Sequence, residues 1–583
     1  MPETLPDRFE QEAPQLGNQY TGDRVLSGYL KRAFGGSVPE AVAEELDWMG
    51  REAGGRLYQM QLRDREHEPR LTRWDAWGER VDRIEVTDLW REARRIAAER
   101  GVVATAYEGA PEDGEHPRVH QFALAYLFIP STDMYGCPLA MTDGAARTLQ
   151  ASGNDALIER AVPRLTSRDP ERFWTSGQWM TELAGGSDVS RSRTTARQDA
   201  GGTWRLYGRK WFTSAIDADM ALALARPETN GGGATDGGGT LALFFVPIRN
   251  ENGDLDDGLR VDRLKDKLGT RKLPTAELTL DGARAVPVSG LDRGTRAMRP
   301  MLNVTRTWNA VTAVALMRRG LALARDYARR REVFGQPLAD QPLHADTLAG
   351  LQSTFEAAFH LAFRVVELLG KKEAGTLSGE GRALLLLLTP LAKLTTARQA
   401  MDVMPEVLEA FGGAGYVEDT GLPVLERDAQ VLPIWEGTTN VLALDLLRTL
   451  RDADSNSDGS ALAPIEAELR RCAEAVEAPA LAEIVGQAQT ALERAAAWLG
   501  EARGEGRAAV EAGARRFALT LGRALEAALL ARHAQGALDA DDDTRPRAAA
   551  RRFAAAGLDR ITDVLRAESR ALAVGAESTG GRG

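Results

Sequence analysis

The sequence predicts an α+β chain, mainly helical, built as an N-terminal helical domain, a middle β-domain, a C-terminal helix bundle and a helical extension. Three observations carry this reading. Apolar residues recur with a helical period over 24–165, short β-favouring runs replace that pattern from about 177, and long amphipathic stretches resume after 295. At 583 residues the chain also exceeds what one core can serve, since cores stop growing at roughly 250–300 residues. The expected units are 1–176, 177–292, 293–451 and 452–583.

In the first unit, VAEELDWMGREAGGRLYQMQL and VTDLWREARRIAAER have the spacing of amphipathic helices, and a Pro/Gly/Glu-rich loop at 110–117 interrupts them. The second unit holds five runs, TWRLYGRKWF, MALALARP, TLALFFVPI, LRVDRLKDKL and TAELTLDGARAVPV, enough for a small sheet or barrel. The glycine run at 230–240 lies between two of them without a GK[ST], so it reads as a hairpin tip rather than a phosphate loop. In the third unit, segments such as LHADTLAGLQSTFEAAFHLAFRVVELLG have the length and broad apolar face of antiparallel bundle helices. The polar break RDADSNSDGSA at 451–461 reads as a linker to an Ala/Arg/Glu-rich helical tail.

Composition excludes several classes. A net charge of −11 disfavours a broad grip on nucleic-acid phosphates. Two distant cysteines, Cys137 and Cys472, encode neither a disulfide framework nor a zinc site, and the six histidines include no HExxH, so no metal is expected. G-x-S-x-G is absent, which removes the common serine-hydrolase reading. The N-terminal stretch lacks the basic start and apolar run of a signal peptide, and ALLLLL at 383–388 is far short of a membrane span. A cytoplasmic protein without a membrane partner is expected.

Three stretches have the composition of a ligand site. WMTELAGGSDVS at 179–190 stands at the helix-to-sheet junction and offers hydroxyls and backbone N–H groups to a polar, planar ligand or a phosphate. In RREVFGQPL at 330–338, Arg331 and Phe334 end a long helix that Gly335 stops. VLPIWEGTTN at 431–440 places one carboxylate, Glu436, between a tryptophan and a glycine after an apolar run.

In this order and at these separations, the stretches resemble the acyl-CoA dehydrogenase family of flavoenzymes over roughly residues 30–450. LKDKLG, the tryptophan of IWEGTTN and the added tail look most like its alkylation-response AidB branch. The resemblance implies the family fold, an FAD cofactor, an acyl-CoA thioester substrate, a homotetramer and an electron-transfer flavoprotein as acceptor. It places Met180, Thr181, Gly186 and Ser187 at the flavin ring, with Trp211 and Thr213 of KWFTS beside it. Arg331 and Phe334 match positions that reach the FAD of a neighbouring subunit, as do Glu409 and Gly413 of EAFGGAGY; Thr438 and Asn440 match further FAD contacts. Ser187, Arg306, Trp435 and Arg448 match positions near the substrate, and Glu436 falls on the catalytic base. Position 305, where one subgroup carries its base, is a threonine here.

The implied chemistry wants such a carboxylate. Removing an α-proton while the β-hydrogen leaves as hydride requires a base shielded from water and donors for the thioester oxygen. The alternative implied by the AidB likeness is a low-turnover flavoprotein that binds DNA or sequesters acyl-CoA in a stress response. Arginine pairs at 470–471, 515–516 and 551–552 could meet phosphates, yet from 452 onward 17 Arg face 21 Asp plus Glu, and a packed bundle is the plainer reading of the tail.

Overall fold

The computed structural model describes residues 11–108, 116–228, 240–454, 460–562 and 566–574. The glycine run at 230–240, apart from Thr240, most of the 110–117 loop and the centre of the 451–461 linker therefore lie outside the described residues.

The first domain is helical because its segments carry caps as well as periodicity. Asp23 accepts from the N–H groups of Val25 and Leu26 at the start of Arg24–Ala33, and Thr87 accepts from Trp90 N–H before Asp88–Glu99. Pro117–Phe128 and Gly136–Gln150 are buried almost all round and form its centre. One feature departs from the helical expectation: Arg70–Trp74 (β1) and Arg80–Glu85 (β2) form an antiparallel hairpin. Its strands are too short and polar to show a clear period of two. Tertiary bonds hold it, with Asp82 accepting from the N–H of Val261 in the middle domain.

The middle domain contains Ser176–Trp179 (β3), Thr195–Gln198 (β4), Trp204–Ser214 (β5), Met220–Pro227 (β6), Ala242–Pro247 (β7), Leu259–Leu264 (β8) and Thr275–Pro287 (β9). The order is β3-β6-β4-β5-β9-β7, with β8 beside β9, and β7 pairs back onto β6 so that the sheet closes on itself. Five of these strands are the predicted runs. β3 and β4, four residues each, are too short for a periodic signal and pair in parallel with β6.

Four helices, Arg299–Arg330, Pro342–Glu373, Gly379–Glu409 and Thr439–Asp454, form the bundle. The first ends earlier than expected, at Arg330. Arg331 is extended, and Phe334 and Gly335, with φ of 53° and 82°, make the two-residue turn of a small hairpin, so Gly335 closes a turn rather than a helix. The extension adds Ala463–Glu474, Pro479–Glu505, Arg507–Asp541, Arg545–Ala555 and Arg566–Val574, and Arg507–Asp541 packs on three of the bundle helices. Glu468, fully buried, is bonded by Arg364 of the bundle at 2.8 Å. Among the described residues no helix is long and apolar enough to cross a membrane.

Candidate active site

A cavity of about 1060 Å³ opens where the closed sheet meets the bundle. Glu436 faces it from the turn that precedes Thr439–Asp454. Its φ is 55° and that of Gly437 is 100°, a left-handed pair that glycine tolerates and glutamate resists. The surroundings over-determine this turn. Thr305 Oγ1 donates to Glu436 Oε2 at 2.5 Å, and Arg306 Nε donates to the Glu436 carbonyl at 3.3 Å while its Nη1 meets Asp445 at 3.1 Å. Lys393 Nζ donates to the Gly437 carbonyl at 2.5 Å, and Trp435 Nε1 donates to Asn309 Oδ1. Thr305 thus orients the carboxylate instead of merely leaving its own position without a base.

Burial shapes the other titratable groups. It pushes the Lys393 ammonium down to about 7 against the opposing pull of Glu436, and Lys267, which donates to the Leu273 carbonyl and to Thr275, down to about 8. The Cys137 thiol rises to about 12, so no thiolate nucleophile faces the cavity at neutral pH.

The structure brings together many of the sequence-predicted residues. Met180, Thr181, Gly186 and Ser187 line the wall of the middle domain, and Arg306, Trp435, Thr438 and Arg448 line the wall of the bundle. Trp211 and Thr213 are adjacent but turned away. A register shift between Lys210 and Thr213 interrupts the pairing of β5 with β9, and it is Phe212 and Ser214 that face the cavity. Thr213 is buried and donates to the Ala276 carbonyl at 2.8 Å, while Trp211 carries Lys265 Nζ 3.1 Å from its ring centre.

Arg331, Phe334, Glu409 and Gly413 stand elsewhere, at the far end of the bundle, where Tyr327 and Phe411 bring the helix ends together with ring centroids 4.8 Å apart. Between Thr305 and Arg330 the helix rises about 38 Å, so one chain cannot close these residues around the cavity. Asn440 is exposed in the first turn of Thr439–Asp454 and does not line the cavity. Sequence reading assigned no role to Phe212, Ser214, Lys267, Asn309 or Lys393. The available signal for the last two was a polar residue inside a mostly apolar stretch, as in WNAVTAV and PLAKL.

The tail's arginine pairs are divided: Arg470, Arg515 and Arg551 are exposed, whereas Arg471 and Arg552 are ion-paired. Arg471 is bonded by Glu468 and Glu380, and Arg552 by Asp346. His360 is buried against His533 with centroids 4.2 Å apart, and its Nε2 has no hydrogen-bond partner among the described residues.

The cavity suits a flavin. Hydroxyls of Thr181, Ser187, Ser214 and Thr275, together with the Lys267 ammonium, face it from the sheet, and Gln178 Oε1 is buried there without a protein partner. Gly186 is part of the cradle, since a Cβ there would stand 3.1 Å from Thr181 Cγ2.

Residues 292–450 and 177–283 match the C-terminal and middle domains of acyl-CoA dehydrogenase. Residues 11–171 match the adaptive response protein AidB N-terminal domain, and 464–574 an acyl-CoA dehydrogenase 11 C-terminal domain-like family. The chain is 42% identical over 539 residues to acyl-CoA dehydrogenase family member 11 of Caenorhabditis elegans, covering 90% of this chain and 86% of that protein. With the putative acyl-CoA dehydrogenase AidB of Escherichia coli (strain K12) it shares 32% over 391 residues, 66% of this chain and 69% of the relative. The crystal structure of Caenorhabditis elegans ACDH-11 in complex with C11-CoA matches with a TM-score of 0.91 at 38% identity, covering 99% and 98% of the two chains. The chain belongs to the acyl-CoA dehydrogenase family of FAD-dependent oxidoreductases, and within it is homologous to AidB and acyl-CoA dehydrogenase 11.

Proposed function

We propose that the protein oxidises an acyl-CoA thioester to its 2,3-enoyl-CoA, with Glu436 as the base that takes the α-proton. The observation that carries this is the Glu436 carboxylate, which faces the cavity and is held there by the Thr305 hydroxyl at 2.5 Å, whereas Asp445 of the same lining is paired with Arg306 and Arg448. Bound FAD supplies the oxidising power for loss of the β-hydrogen as hydride. The chain's own residues do the rest. Thr305 keeps Glu436 Oε2 in place, leaving Oε1 to receive the proton. The N–H of Glu436 has no acceptor among the described residues and is available to the thioester oxygen as its charge grows. Thr181, Ser187 and Lys267 would hold the flavin ring from the sheet side, while Arg306 fixes the turn by donating to the Glu436 carbonyl. An acyl-CoA ligand is supported by the C11-CoA bound to the similar ACDH-11.

The reading extends to assembly. Phe334 and Tyr416, 98% and 92% exposed at the far end of the bundle, together with Arg331 and Glu409, form a surface suited to a second copy and its FAD within a homotetramer. An electron-transfer flavoprotein would then accept the electrons.

Anaerobic titration with acyl-CoAs, followed at the flavin's blue absorption band, tests the mechanism. Wild-type protein is expected to bleach, and Glu436→Gln to bind the same thioesters while bleaching at least about a hundredfold more slowly. Unchanged bleaching by the variant would remove Glu436 from the role. A wild-type band that shifts without bleaching would favour the sequestering alternative.

A further inference from the structure

A cavity for a plain alkyl chain needs only apolar walls, and one wall here departs from that. Passing inward from the mouth along Arg299–Arg330, the residues that line the cavity include Arg299, Leu302, Arg306, Asn309 and Thr312. Arg299 is exposed, whereas Asn309 is 3% exposed, so depth increases along the helix. Thr305, which holds Glu436, precedes Asn309 by one turn, about 6 Å. Buried Met134 and Met141 of the first domain line the same cavity.

Chemistry fixes which way the Asn309 amide points. An indole N–H can only donate, and Trp435 Nε1 donates to Asn309 Oδ1. The carbonyl is thereby used, and Nδ2 is left with two N–H groups and no acceptor among the described residues. Its neighbour Thr312 has no donor left for a ligand, because its one O–H already donates to the Trp308 carbonyl at 2.8 Å.

We propose that the acyl group taken by this cavity carries a hydrogen-bond acceptor, a carbonyl or ether oxygen a few carbons beyond the β-carbon, and that Asn309 Nδ2 binds it. The proposal rests on the reading of Glu436 as base, which puts the α-carbon at that carboxylate and Asn309 roughly 6 Å further along the chain. A site built to donate discriminates against a ligand that cannot accept, because the latter leaves the buried N–H groups without a partner.

The test measures binding of CoA thioesters of one chain length to the flavin-loaded protein, either unsubstituted or with a keto oxygen moved outward from the γ-carbon one position at a time. One keto isomer is expected to bind at least about tenfold tighter than the unsubstituted chain. Asn309→Asp keeps an acceptor for Trp435 but removes both donors, and should make that keto isomer the weaker ligand. Asn309→Leu should abolish the preference. Equal binding of all isomers by wild-type protein overturns the proposal whether or not the variants fold, and so does a preference that survives both. Failure of every thioester to bind would instead overturn the acyl-CoA reading beneath it. Glu436→Gln separates the two, since it is expected to stop bleaching while leaving the keto preference in binding intact.

Discussion

Glu436 adopts a conformation that costs a β-carbon-bearing residue on the order of 1–3 kcal/mol, and the turn persists because its neighbours outweigh that cost. Lys393 is central among them, with no exposed surface and its ammonium on the Gly437 carbonyl. Burial lowers it from an ordinary 10.5 to about 7. Above pH 7 the folded state therefore releases a proton that the unfolded chain keeps until about 10.5, so this residue makes stability rise with pH across that window. The slope is at most about 1.4 kcal/mol per pH unit. Urea unfolding at pH 7 and pH 9 should show that increment in wild-type protein and not in Lys393→Met. Parallel pH dependence in the two would contradict the assignment. Neither Lys393 nor Asn309 was legible as a site residue, because a lone polar letter on an apolar helix does not say what lies opposite it.

At the scale of elements, the extension is joined to the bundle by a close helix crossing. A Cβ on Gly522 would collide with Thr395, and one turn later Glu526 accepts from Gln399 at 2.9 Å. Burial raises the Glu526 carboxyl from 4.5 to about 8. Between those values the folded state holds a proton that the unfolded chain has lost, so stability falls as pH rises from 4.5 to 8. Glu526→Gln should remove that loss and be more stable than wild type at pH 8 but not at pH 4.5, as read by urea unfolding; equal stability at pH 8 would place the carboxylate in a solvated setting. Element types were largely readable from period and composition. The β1–β2 hairpin and the strands β3 and β4 were not, since pairing partners far along the chain define them.

At the scale of the whole molecule, the predicted ligand residues divide into a cavity set and an end-of-bundle set that one chain cannot unite. Both sets serve one cofactor only if a second copy supplies the end-of-bundle set. Arg331→Ala should then purify with at least a severalfold loss of bound FAD, measured by the absorbance ratio of flavin to protein. Phe334→Asp, at an exposed turn where folding is not at stake, should shift the light-scattering mass toward smaller species. Full flavin occupancy in the first and an unchanged mass in the second would argue for a site complete within one chain.

By itself the sequence determined the order of helical domain, small sheet, bundle and tail, because hydrophobic periodicity and turn residues are local properties of the chain. It also determined the family, through spaced stretches whose residues suit one chemistry. Only the tertiary structure decided that Thr305 holds the Glu436 carboxylate, that a shift in strand register turns Phe212 rather than Trp211 to the cavity, and that Asn309 is left with unused donors. Each of these depends on atoms brought together from more than 60 positions apart, and no local pattern encodes such a meeting.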